Sequence, residues 1–326
     1  AFFMKKTKRF VIGLLTALSV FFGSLALAAC NETDSSIETS SSIEEDSHIE
    51  EGATQHLRYE KIKDKEEYAV TGLGSATDKN IVISSTYDGL PVTSIADSAF
   101  GDCANVTSVT IPDGVTYIGY KTFQSCRNLT SVNIPNSVTK IGSSAFEGCE
   151  NLSSVTIPGS VKSIGSTAFF RCSKLESVTL LEGVTSIANN VFNGCRNLKT
   201  LTLPNTLTTI GDNVFGYCGL TSLSLPYSVK TIGYRAFYYC ESLTSVEIGE
   251  NVTSIGNNAF SGCSALTSVT LGEKVASIGN NAFDGCNQLQ FKEHNTEKYL
   301  STKTNDYFAF IETKDRELSS YILHNN

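Results

Sequence analysis

A 23-residue repeat governs this chain from about residue 90 onward. Its cysteines mark the period: Cys103, Cys126, Cys149, Cys172, Cys195 and Cys218 are each 23 apart, Cys240 follows after 22, and Cys263 and Cys286 after 23 again. Units this short cannot bury an apolar face alone, so they must stack on one another as a solenoid. Length alone would suggest two or three domains for 326 residues, but the repeat argues for one elongated body.

One unit shows why particular positions recur. In Leu152-Ser153-Ser154-Val155-Thr156-Ile157, Val155 and Ile157 share one face at period two while Ser154 and Thr156 point the other way, which predicts a short half-buried strand ended by Pro158. Val161-Lys162-Ser163-Ile164-Gly165 is too short for a helix and β-branched at both ends, which predicts a second short strand turned by Gly165. Ser166-Thr167 ahead of Ala168-Phe169 reads as an N-cap before one or two helical turns, with Phe169 and Cys172 facing the core together. Nine such coils at a strand spacing of about 4.8 Å make a rod roughly 40 Å long. The phenylalanine column from Phe100 to Phe283 is the expected core filler.

The chain opens differently. Lys5, Lys6, Lys8 and Arg9 form a basic region before the apolar run Phe10 to Leu27, which ends in Leu27-Ala28-Ala29-Cys30. This reads as an export signal over 1–30, with an uncleaved membrane anchor as the alternative. Leu-Ala-Ala-Cys resembles the bacterial lipobox, which implies Cys30 as a lipidation site and membrane attachment through its acyl chains. Either reading puts the rest of the chain outside the cytoplasm.

Residues 31–56 carry eight acids, six serines and no Lys or Arg, the composition of a disordered linker. Removing the four basic residues of the signal takes the formal charge from −8 to −12, of which the linker supplies −8. The remainder has too little bias, and of the wrong sign, for nucleic acid. Residues 57–92 read as an N-terminal β cap with strands at Tyr68 to Gly72 and Ile81 to Ile83. The solenoid proper spans 93–290.

Departures from the repeat are few. Leu181, Gly249 and Gly272 replace its proline, Ala188 replaces its glycine, and Gly219 stands alone where other coils have two residues between Cys and Leu. That deletion falls at a turn, so a small bend near Cys218 is expected and the stack should survive it.

Ser137-Val138-Thr139-Lys140-Ile141-Gly142-Ser143-Ser144-Ala145-Phe146-Glu147-Gly148-Cys149 resembles the unit of the BspA-type leucine-rich-repeat family of bacterial surface lipoproteins almost position for position. The resemblance covers about residues 57 to 290. It implies a β-rich α/β solenoid: a right-handed leucine-rich-repeat coil of about nine 23-residue repeats, with short parallel strands and short helical turns. It also implies adhesion, matrix-protein binding or coaggregation at the cell surface, without naming a ligand. Residues 291–326 break the period and read as a C-terminal β cap or the start of a further array.

No catalytic constellation emerges. Each array cysteine is alone in its coil, no Cys-x-x-Cys occurs, and His48, His56, His294 and His324 all lie outside the repeats. Identical positions in stacked coils project in parallel, which is poor disulfide geometry, so the nine thiols are expected to form a buried, reduced ladder. The sequence therefore predicts no enzyme, no metal and no cofactor.

Two surfaces remain for a partner, an extracellular protein or a surface glycan. Outward strand positions form two hydroxyl columns, from Ser108 to Ser268 and from Thr110 to Thr270, interrupted by Asn133 and Glu247; they could contact a glycan or another regular polymer. Phe170, Arg171, Tyr217, Tyr234, Arg235, Tyr238 and Tyr239 occupy positions that are mostly small or polar in other coils. Aromatics with arginine have the composition of a protein-binding hot spot, and simple coverage of the coil edge is the alternative. A structural spacer for a domain beyond Asn326 is a further possibility for the whole chain.

Overall fold

A computed structural model describes residues 49–292 of the chain. The predicted signal, most of the acidic linker and the C-terminal residues from 293 lie outside the described residues. The rest is a parallel-strand solenoid in which every coil contributes three runs, and equivalent runs stack in three columns.

The first column is built from the Val-x-Ile strands. Ser154–Ile157 pairs in parallel with Ser177–Leu180, and that strand with Thr200–Thr202, so that Val155, Val178 and Leu201 lie in line. Val155 and Ile157 are buried and Ser154 and Thr156 exposed, as period two requires. The second column holds the two-residue strands, such as Lys140–Ile141 beside Ser163–Ile164, again in repeat register. A glycine column follows it. A Cβ on Gly142 would lie 2.5 Å from the Gly119 backbone, so successive coils approach too closely there for any side chain. Ala96 in the first coil and Ala188 are the substitutions in that column.

The third run departs from expectation: it contains no helix. Left-handed backbone recurs in it at two positions four residues apart, Ser144 (φ 55°) and Gly148 (φ 70°), and at the equivalent positions of every coil. The amides of Ser144, Phe146 and Gly148 donate to the carbonyls of Ser166, Ala168 and Phe170 in the next coil. The amides between them close tight turns, Glu147 to Ser144 and Cys149 to Phe146. A helix would turn all these donors inward on its own segment, whereas the alternation sends every second one along the stack. Of the hydroxyl residues read as an N-cap, Thr167 holds left-handed backbone (φ 58°) in place of a cap.

The core is an unbroken stack of nine phenylalanines. Phe100 to Phe283 are all buried, with centroids of successive rings 5.0–5.6 Å apart and planes within 15° of parallel. Beside them runs the cysteine ladder. The Cys149 thiol donates to the Phe123 carbonyl of the preceding coil at 3.2 Å, and Cys126, Cys172, Cys195, Cys218, Cys240, Cys263 and Cys286 repeat that contact. These eight are free and buried. Cys103 stands outside this set of eight. It is the first rung, and the cap before it carries no phenylalanine whose carbonyl its thiol could meet.

The stack survives the short coil, although one of the two breaks in first-column pairing falls there, the other lying between Ser131–Asn133 and Ser154–Ile157. First-column pairing is interrupted between Thr200–Thr202 and Ser222–Ser224, while the second column continues from Thr209–Ile210 to Thr231–Ile232. The Phe192 and Phe215 rings are the widest spaced of the stack, at 5.6 Å, yet still parallel.

The N-terminal cap is larger than the sequence suggested. Arg58–Lys61 pairs antiparallel with Tyr68–Gly72, which in turn pairs in parallel with Leu90–Ile95. Residues 49–56, assigned to the disordered linker from composition, belong to this cap: Thr54 is buried, its hydroxyl accepts from the Val82 amide at 2.8 Å, and Ile49 bridges Tyr87. At the other end Gln290–Lys292 adds a strand beside Ser268–Thr270, carrying the sheet slightly past residue 290.

Candidate interaction surface

The hydroxyls of the array divide by role. The residue ahead of each first strand often turns its hydroxyl back onto the preceding coil, as Thr130 does to the Thr107 carbonyl and Thr244 to Thr221. Thr139 and Thr208 do the same ahead of the second strand, onto Thr116 and Thr185. These hydroxyls are structural. The two outward columns behave otherwise: Ser154, Thr156, Thr200, Thr202 and Ser222 are exposed and face solvent. Both interruptions found in the sequence are used internally, since Asn133 clamps the amide and carbonyl of Ile111 and Glu247 accepts from Ser224.

The aromatic positions do not form one patch. Five of the seven come together. Tyr217 and Tyr239 occupy the same position of adjacent coils and stack at 5.6 Å and 25°. Tyr238 lies edge-on to both, at 5.6 Å from Tyr217 and 4.5 Å from Tyr239. The Arg235 guanidinium sits over Tyr238 at 4.6 Å and over Tyr234 at 4.9 Å. Phe170 and Arg171 form a separate pair, with the guanidinium 5.0 Å from the ring. The coil of Asn193 and Gly194 stands between them and Tyr217, so the two groups are about 10 Å apart along the axis.

What the sequence did not reveal is the backbone these side chains ride on. Arg171 (φ 57°), Tyr217 (φ 58°), Arg235 (φ 52°) and Tyr239 (φ 53°) all hold left-handed backbone. Other coils fill the same two columns mostly with Gly or Asn, which accept that conformation most readily, though Ser, Asp102, Lys121 and Thr167 hold it too. A bulky L-residue there costs on the order of 1 kcal/mol. The cluster also leaves the Arg235 Nε buried without a hydrogen bond, which costs about 1 kcal/mol or more. Despite those costs Tyr217 and Tyr239 remain over 40% exposed, so burial does not offset them. Strain retained at an exposed aromatic cluster is a reason to assign it a function.

Other exposed tyrosines escaped the sequence reading. Tyr227, at 65% the most exposed large apolar residue described, follows Pro226 at a turn position held by Asp, Asn, Gly or Glu in other coils. Tyr120, with Lys121 over its ring at 5.1 Å, follows the coil glycine as Tyr234 does. The equivalence of Tyr120 with Tyr234 was available in the repeat alignment and is the signal that could have found it.

Among the described residues no three His, Cys, Asp or Glu side chains converge as a metal site, and no helix is long and apolar enough to cross a membrane.

Comparison with known proteins agrees with the architecture. The pattern of the BspA type leucine rich repeat region matches in six copies, over residues 93–221 and 208–319. A leucine rich cell surface protein from Faecalibacterium prausnitzii is 27% identical, over 78% of this chain and 89% of its own, with a TM-score of 0.51. Leucine-rich repeat proteins from Bacteroides ovatus and T. pallidum are each 26% identical, covering 74% and 65% of this chain and 82% and 88% of their own, with TM-scores of 0.47 and 0.48. No curated protein matches.

Proposed function

The chain belongs to the BspA-type leucine-rich-repeat family, and from that premise we propose that it is a non-enzymatic cell-surface binding protein that engages a protein partner through the edge of its solenoid. The observation that carries this reading is the cluster of Tyr217, Tyr238 and Tyr239 with Arg235, in which Tyr217 and Tyr239 stand exposed on left-handed backbone. Aromatic side chains with few rotatable bonds anchor a partner at low entropic cost, and Tyr and Arg dominate measured hot spots. Attachment to the membrane through an acylated Cys30 fits the Leu27-Ala28-Ala29-Cys30 motif and the acidic linker that follows it.

Changing Tyr217, Tyr238 and Tyr239 together to Ser is expected to abolish binding to matrix proteins and to whole cells, measured against a panel of both. Circular dichroism and the melting temperature should hardly change, because Ser125 already holds the same left-handed position within this array (φ 58°). Changing Ser222, Ser245 and Ser268 to Lys should spare binding. The hydroxyl columns favour a second reading, a glycan laid along the sheet, and loss of binding in the lysine variant with retention in the tyrosine variant would select it. For the anchor, mass spectrometry of the mature N-terminus should find acylated Cys30, whereas an intact Phe10 to Leu27 segment would make that segment a membrane span.

A further inference from the structure

We propose that the partner docks an acidic, extended peptide segment across the coils of Cys172 to Cys240, held by Arg171, Arg196 and Arg235. This rests on the docking reading above and gives its partner a chemistry.

The charge on this edge is the opposite of the protein's. The chain carries a formal −8, yet these three arginines lie within three coil steps of one another around the tyrosine cluster. Among the described residues the ion pairs are Lys61 with Glu66, Lys65 with Glu67, and Arg127 with Glu150. None involves Arg171, Arg196 or Arg235. Arg171 and Arg196 are exposed, and Arg235 is half-buried between its two tyrosines. Of the nearby acids, Asp212 accepts from the Tyr234 amide at 2.9 Å, and Glu241 lies beside Cys240.

Ring geometry then separates a peptide from a sugar. Stacking a sugar needs an open ring face, but Tyr239 has Tyr217 against one face and the bare backbone of Gly262 against the other, where an added Cβ would lie 2.7 Å from the ring. What it presents outward is its edge and its hydroxyl. Aromatic edges are electropositive and a guanidinium only donates, so Tyr239 and the arginines offer donors and positive charge to carboxylates and peptide carbonyls. Guanidinium forks match carboxylates two bonds at a time. Between Arg171 and Tyr217 the floor is Gly194, so a chain can pass close to the backbone there.

The test uses the full chain and a fluorescent copolymer of glutamate and tyrosine, with a lysine–tyrosine copolymer and heparin as comparisons. The glutamate copolymer should bind and the lysine copolymer should not, and binding should weaken as salt screens the contact. Replacing Arg171 with Ser, Arg196 with Ser and Arg235 with Asn puts at each site a residue that another coil carries at the equivalent position: Ser125, Ser173 and Asn213. That variant should melt as the parent does and bind at least about tenfold more weakly, roughly 1.4 kcal/mol. Equal binding of the two copolymers, unchanged binding by the arginine variant, or binding of heparin in place of the glutamate copolymer would overturn the acidic-peptide assignment. If the tyrosine variant loses its partners while the parent ignores the copolymer, docking stands and the acidic peptide falls. If the tyrosine variant keeps its partners, docking falls and this inference with it.

Discussion

Phe192→Ala is expected to destabilise the array by about 3 to 5 kcal/mol, the usual cost of emptying the site of a buried ring. The ring is fully buried and stacks on both sides, at 5.4 Å to Phe169 and 5.6 Å to Phe215. In a solenoid the stability is close to a sum of coil and interface terms, so one truncation weakens two interfaces at once. The effect should be sharpened here, because first-column pairing is already interrupted just beyond, between Thr200–Thr202 and Ser222–Ser224. Urea unfolding followed by circular dichroism measures the change. A loss under about 0.5 kcal/mol, the size expected of a surface site, would mean that the stacked column does not hold the array together.

Alkali should unfold the protein through its cysteine ladder. Burial pushes the Cys126 and Cys195 thiols from an ordinary 9.0 up to about 12, and holds Cys149, Cys172 and Cys218 well above their ordinary value. Below about pH 9 these thiols keep their protons in both states, so their contribution to stability is fully present. Above it the unfolded chain releases protons that the folded chain retains, so unfolding gains free energy up to about pH 12 at roughly 1.4 kcal/mol per thiol per pH unit. Five such groups would reduce a typical domain's whole stability to nothing within one or two pH units. Tyrosine and lysine titrate in the same range, and a variant separates them: C172A/C195A should lose stability more gently with pH, by about 1.4 kcal/mol per unit for each thiol removed. Alkylation should be slow in the folded protein at neutral pH and complete on denaturation. Equal pH slopes for parent and variant, or fast alkylation of the native fold, would show that the ladder is open to solvent.

Much of the architecture was legible because the repeat carries it. Val155 and Ile157 at period two, the glycine at Gly142 and the column from Phe100 to Phe283 each recur at a fixed position, and stacking turns equal positions into straight columns. The helical turns were misread because a hydroxyl ahead of a short apolar run is a helix-cap signal in local sequence, while its actual backbone hand is imposed by the neighbouring coil. Local sequence gives the options for Ser166-Thr167; the carbonyls of the next coil choose between them.

The aromatic site was legible as composition and not as geometry. Counting coils already separates Phe170 and Arg171 from Tyr217 by two steps. That Tyr217 and Tyr239 ride on left-handed backbone, that Gly262 lies under the Tyr239 ring, and that Arg235 is held between Tyr234 and Tyr238 depend on how one coil seats on the next. Residues 49–56 illustrate the same limit from the other side: composition made them linker, and the bonds of Glu50 and Thr54 to Ser84, Ser85 and Val82 make them cap. The sequence by itself determined the period, the strands and the inward-facing columns, since these are properties of a single coil repeated. Tertiary structure alone decided the hand of each turn residue, the carbonyl each thiol meets and the side chains that share a surface, because those are contacts between coils.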